Sequence, residues 1–201
     1  MDADSADQLT DTDRAHLRRA VELAEAALCA GDEPFGSVLV DSDGTIRFED
    51  HNHVAAGDAT AHPEIAAARW AIAHLSPPER AAATVYTSGE HCAMCAAAHA
   101  WAGLGRIVYA TSSAQLASWY AEWGLPYGPV APLPIQQVAP GLTVVGPVEE
   151  FVAPVRELQR RSLGVPAGDA SHEPDEPGEA IESPGAIESP GATESPQTQS
   201  R

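Results

Sequence analysis

The chain has 201 residues, with 29 acidic side chains against 11 arginines, no lysine, and a formal net charge of −18. Attraction to phosphate backbones and anionic lipid needs basic side chains, so nucleic acid is not an expected partner. No apolar run approaches the roughly 18 residues that a spanning helix needs, the acidic opening MDADSADQLTDTD lacks the order of a signal peptide, and three cysteines make no disulfide framework; a cytoplasmic setting without membrane contact is the expectation.

Residues 1–11 read as a flexible lead into one folded domain over 12–164. Thr12, or an acidic neighbour, is placed to cap a helix carrying Leu17, Val21, Ala24 and Leu28 at helical spacing and stopped by Gly31. FGSVLV (Phe35–Val40) reads as a strand, DSDG (Asp41–Gly44) as a turn, and TIRFED as the returning strand of a hairpin. A helix opens near His62 and runs through IAAARWAIAHL, with Pro63 in the first turn, where its missing N–H is not needed. TVYTS as a strand, CAMCAAAHAW as a helix, RIVYAT as a strand and SSAQLASWYAEW as a helix follow in order. Either PIQQV or LTVVG supplies a last strand, ahead of a helix from about Glu149 to Leu163. A hairpin followed by repeated α–β units predicts one sheet with helices on both faces. From 165 to 201 the composition shifts to Pro, Gly, Glu, Ser and Ala. AIESPG at Ala180–Gly185 returns at Ala186–Gly191 and then decays to ATESP. Prolines at that spacing and few apolar groups predict a disordered acidic tail.

Two short segments concentrate the chemistry. His62-Pro63-Glu64 and Cys92-Ala93-Met94-Cys95 each open a helix, and the second directly follows a strand. Cysteines at i and i+3 share a helix face, and thiolates are favoured at a helix N-terminus by the dipole and its free N–H groups. One imidazole and two thiolates suit tetrahedral zinc with its fourth position open to water; a structural site would want four protein ligands. Glu64, two residues after His62, is placed to exchange a proton with such a water without ligating the metal.

The H-x-E and C-x-x-C pair resembles the zinc-dependent deaminases of the cytidine/deoxycytidylate deaminase superfamily. The resemblance covers about residues 12–160 and is strongest to the guanine deaminase and bacterial nucleoside deaminase branch. EPFGSVLV resembles that branch's first strand, HNHVAAGDATAHPEI its asparagine-bearing loop, and VYTSGEHCAMC its second zinc segment. It implies a three-layer α/β/α sandwich with a central mixed five-stranded sheet. It also implies Zn2+ held by His62, Cys92 and Cys95, with catalysis by Glu64 as proton shuttle to a zinc-activated water. Ammonia is then released from a nucleobase, nucleoside or related aminated heterocycle. Guanine is the first candidate, with cytosine, adenine derivatives and amino-triazines behind it. Asn52 matches the family's substrate-binding asparagine. Phe35 is placed to pack on the base, and Ala61 and Ser88 to read its edge. Glu122, with Trp119 and Trp123 nearby, is the candidate for the acidic residue with which the guanine branch contacts substrate. Two departures stand out: His91 replaces the proline usual before the first zinc cysteine, and Pro63 replaces the alanine usual between the histidine and the glutamate. His91 puts an imidazole near the site, to tune substrate choice or add a ligand.

Other readings compete. Cys92 and Cys95 alone would suit a redox pair, and with His91 as fourth ligand a structural zinc site. Asn52 would serve as a turn residue, Phe35 as core, and Trp119, Trp123 and Glu122 as packing and surface. A tRNA adenosine deaminase shares the motifs but would want basic residues around its pocket. A non-enzymatic zinc scaffold would not need Glu64. The resemblance further implies a homodimer.

Overall fold

The computed structural model describes residues 9–167. Helix α1 (Asp11–Ala30) is capped by Thr10 in a reciprocal box with Asp13 and ends at Gly31 in the left-handed conformation. β1 (Gly36–Val40) and β2 (Ile46–His51) form the expected hairpin. α2 (Pro63–His74) is followed by a short helix that the sequence reading missed, α3 (Pro77–Ala82). β3 (Thr84–Gly89), α4 (Ala93–Ala102), β4 (Arg106–Thr111) and α5 (Ser113–Glu122) then alternate. PIQQV forms a single helical turn, α6 (Ile135–Val138), so LTVVG supplies the last strand, β5 (Val144–Val145), before α7 (Glu149–Ser162).

The strands make one mixed sheet in the order β2-β1-β3-β4-β5. β1 is antiparallel to both β2 and β3, and β3, β4 and β5 are parallel. Strand alternation sends side chains to both faces, and each face is covered. Val38 and Val40 of β1, Tyr86 of β3 and Val108 of β4 meet Leu17, Ala20 and Leu23 of α1, Trp119 of α5, and Phe151 and Val155 of α7. On the opposite face Leu39 and Val85 meet Ala67, Ala68 and Ala71 of α2 and Ala102 of α4. Burial stabilises by about 1.5–3 kcal/mol for each large apolar side chain. The alanines on α2 and α4 let those helices approach closely, which brings their N-termini together. Gly36 answers a similar demand on the first face, since a Cβ there would lie 2.4 Å from the Ala20 carbonyl oxygen of α1.

A buried polar node locks α1 to the sheet. Asp13 Oδ1 accepts from the Tyr86 hydroxyl at 2.7 Å and from Arg106 at 2.8 Å, while Oδ2 accepts from the Thr10 backbone N–H at 2.8 Å. Burial alone would raise the pKa of this carboxyl. The hydrogen bonds from Thr10 and Tyr86 and the charge of Arg106 outweigh it and lower the group from 3.8 to about 2. A depressed carboxylate contributes stability that is present above about pH 4 and lost as pH falls through about 2. Asp13→Asn is expected to cost about 2 kcal/mol at neutral pH. In urea unfolding, the gap between it and the wild type should close between about pH 4 and pH 2; a gap independent of pH would show that the carboxylate charge is not what stabilises.

Candidate active site

Helices α2 and α4 pack against each other, and their first turns carry the two motifs. His62 is the extended residue that precedes α2, Pro63 takes the first helical position, and Glu64 the second. Cys92 stands in the same relation to α4, with Cys95 three residues on in the first turn. One donor atom from each of His62, Cys92 and Cys95 lies within 4.8 Å of the others. His62 Nδ1 is 3.8 Å from Cys92 Sγ and 3.6 Å from Cys95 Sγ. Tetrahedral zinc with ordinary Zn–N and Zn–S bonds needs N···S separations of about 3.6 Å, so the donor set fits the ion in kind and in spacing. A hydrogen bond from the Cys95 thiol, helped by His62 and opposed by burial, lowers Cys92 to about 4, and the same bond holds Cys95 protonated when no metal is bound. Its hydrogen bond to Cys92 in turn raises the pKa of His62.

Glu64 is almost fully buried, and burial raises its pKa. Oε1 lies 3.1 Å from the Ser37 hydroxyl and 2.9 Å from the Thr87 hydroxyl, both of which donate to it. Those hydroxyls meet because Ser37 and Thr87 are direct partners across the β1–β3 ladder. Glu64 stands in the first turn of α2, two residues after the donor His62.

Asn52 follows β2 and is fully buried. Its Oδ1 accepts from the Val54 N–H at 2.8 Å, while Nδ2 has no protein partner. A buried amide donor without an acceptor costs about 1–3 kcal/mol. Phe35 is half-buried, and its ring lies over Gly89, where an added Cβ would sit 3.0 Å from Cε1. The Ala61 carbonyl accepts from the His53 N–H. Ser88 is built into the sheet, its Oγ accepting from the Gly36 N–H and its carbonyl from the Thr111 hydroxyl. His91 is not among the clustered donors. It is 1% exposed and edge-on to His99, with both ring nitrogens unpartnered, and burial holds its pKa well below the usual value. Trp119 belongs to the core beneath α1 and α7, and Glu122 is an exposed partner of Arg156.

Two further groups, Glu90 and Tyr127, lay outside the sequence reading. Glu90 accepts from the Ser113 N–H with one carboxylate oxygen and from the Ile135 N–H with the other, both at 2.9 Å, tying the loop before Cys92 to α5 and α6. Tyr127 is half-buried and edge-on to Tyr120; burial and the neighbouring charges of Tyr120, Cys92, Glu90 and Glu33 raise the pKa of its phenol. An open groove between α1 and α7, lined by Arg18, Glu22, Glu25 and Phe151, holds none of these groups.

Known proteins share these features. A family model described as "Cytidine and deoxycytidylate deaminase zinc-binding region" matches residues 10–111. The chain is 40% identical over 103 residues to the guanine deaminase of Bacillus subtilis, covering 50% of this chain and 65% of that protein. It is 34% identical over 112 residues to a protein of Schizosaccharomyces pombe named "Probable cytosine deaminase", covering 56% and 68%. It is also 34% identical over 110 residues to a tRNA-specific adenosine deaminase of Haemophilus influenzae, covering 54% and 64%. The chain thus spans about two thirds of the length of these relatives. A solved guanine deaminase from Nitrosomonas europaea superposes with a TM-score of 0.56 over 77% of this chain and 90% of that one; at 24% identity this speaks to the fold alone.

Proposed function

Because the chain belongs to the cytidine and deoxycytidylate deaminase family, we propose that it hydrolytically deaminates a small aminated heterocycle, with guanine as the first candidate and cytosine the next. The observation that carries this reading is the meeting of a His–Cys–Cys donor cluster with a buried carboxylate held by two hydroxyls. Zinc bound by His62, Cys92 and Cys95 supplies Lewis acidity that lowers the pKa of a water to about 7. Glu64 takes one proton from the water and passes it to a ring nitrogen, then takes the second from the added hydroxyl and passes it to the departing amine. Over the cycle the ring carbon loses its amine as ammonia and gains a carbonyl oxygen from water. Ser37 and Thr87 fix Glu64 Oε1, so the carboxylate cannot swing away from the reacting centre. Asn52 Nδ2 donates to an acceptor on the base or sugar edge. Phe35 supplies an apolar wall against the ring, and burial around Glu64 keeps bulk water out.

Guanine leads because the Bacillus subtilis guanine deaminase is a 40% identical relative. The excess of acidic residues favours a neutral base or nucleoside over a phosphorylated one or tRNA. The reading includes a homodimer. Trp101 on α4, 92% exposed, and Ile72 on α2 are the apolar side chains a second copy would cover.

The test is ammonia release by the zinc-loaded protein from guanine, cytosine, adenine, their nucleosides and amino-triazines. Turnover of guanine above the other rings is the expected result. Turnover confined to another ring would replace the substrate, and silence on all of them with zinc bound would remove the small-molecule reading.

A further inference from the structure

A second cluster of metal-ligating side chains lies at the junction of α1, β2 and the loop that follows. One donor atom from each of Asp32, His51 and His53 lies within 4.8 Å of the others. Asp32 comes just after the glycine that ends α1. His51 is the last residue of β2, and His53 is two residues on. Asn52, between them, turns inward to full burial, while His51 is half-buried and His53 exposed. The rings of the two histidines are 4.4 Å apart between centroids.

The hydrogen bonds decide which nitrogen of each ring is available. His51 Nδ1 lies 2.8 Å from the Asn52 carbonyl oxygen. A carbonyl only accepts, so Nδ1 carries the hydrogen and Nε2 keeps a lone pair. His53 Nε2 lies 2.8 Å from Asp50 Oδ1, so there Nε2 donates and Nδ1 keeps the lone pair. Asp50 Oδ1 is itself held by the His51 backbone N–H at 2.9 Å. One nitrogen tethered to a carbonyl or carboxylate and the other free is the arrangement found around metal-bound histidine, where the outer partner fixes the ring and strengthens the ligand. Asp32 is similarly oriented, its Oδ1 accepting from the Ala55 N–H at 2.7 Å.

We propose that Asp32, His51 and His53 form a second, solvent-facing site for a divalent transition-metal ion, separate from the His–Cys–Cys centre. Two imidazoles and a carboxylate, with no thiolate, suit Zn2+, Co2+, Ni2+ or Cu2+ over Mg2+ or Ca2+. Bound metal staples the end of α1 to the end of β2 on both sides of Asn52 in the chain. It therefore stiffens the segment that carries the buried, unpartnered amide.

The test uses the full, untagged chain titrated with Co2+ and with Zn2+. The expected result is two equivalents. The tighter cobalt shows thiolate-to-metal charge-transfer bands, and the weaker shows only the d–d bands of a nitrogen–oxygen site. The melting temperature should rise again as the weaker equivalent fills. The double variant His51→Ala/His53→Ala should lose the weaker equivalent and keep the tighter, while Cys92→Ala should do the reverse. Asp50→Asn should weaken the second ion by about 10–100-fold. Saturation of the wild type at one equivalent would overturn the proposal. So would thiolate bands on the second cobalt, which need no variant to fold, or a weaker equivalent that survives in the double variant.

Discussion

Glu64→Ala is expected to lower kcat by at least about 10²–10⁴-fold while leaving one tightly bound zinc per chain. Glu64 is not among the clustered metal donors, so its loss should not release the ion. It is the one buried carboxylate beside the cluster among the described residues, so no other acid is placed to take over the proton. Glu64→Gln keeps the length and an acceptor for Ser37 and Thr87 but cannot carry the proton, and should be as inactive as the alanine variant. The two variants separate proton transfer from packing. An active glutamine variant would mean that Glu64 only shapes the pocket, and full activity in both would end the proposed mechanism.

The second large effect is expected at Cys95. Cys95→Ala removes a thiolate from the His62–Cys92–Cys95 donor set, and the tightly bound zinc equivalent should be lost, with turnover lost along with it. Cys95 is fully buried in the first turn of α4, and metal that binds only the folded chain stabilises it by mass action. A strong chelator should therefore lower the melting temperature of the wild type by more than that of Cys95→Ala. A variant that keeps the tight zinc equivalent and the full chelator response of the wild type would show that the thiolate is not a ligand.

The donor cluster and the buried Glu64 were plainly legible, because His62, Glu64, Cys92 and Cys95 are scarce residue types placed at helix openings. What it withheld depends on register. That Ser37 and Thr87 face each other and converge on Glu64 follows from the pairing of β1 with β3, which hydrophobic alternation in either strand leaves undetermined. Glu90 reaches amides that come 23 and 45 residues later in the chain, and no local pattern announces such a contact. The choice between PIQQV and LTVVG was open because both are short apolar runs. Pro134 ahead of the run and the Glu90 acceptor for the Ile135 N–H favour a helical turn. Helix α3 was legible and overlooked: Ser76 and Glu79 form a capping box with prolines in the first turn. Glu122, a candidate only through the family resemblance, pairs with Arg156 on the surface.

The Glu90 carboxylate has a consequence for how this protein can change over evolution. By holding the amides of Ser113 and Ile135 with one side chain, it closes the intervening stretch at its base, like a drawstring. Closure entropy grows slowly with length, by only about 0.6 kcal/mol for each doubling. Within that stretch the loop between α5 and α6 can thus lengthen, shorten or change sequence without disturbing the core residue Trp119 or the loop that presents Cys92. That loop is free to vary while the segment that carries Cys92 stays fixed at its root.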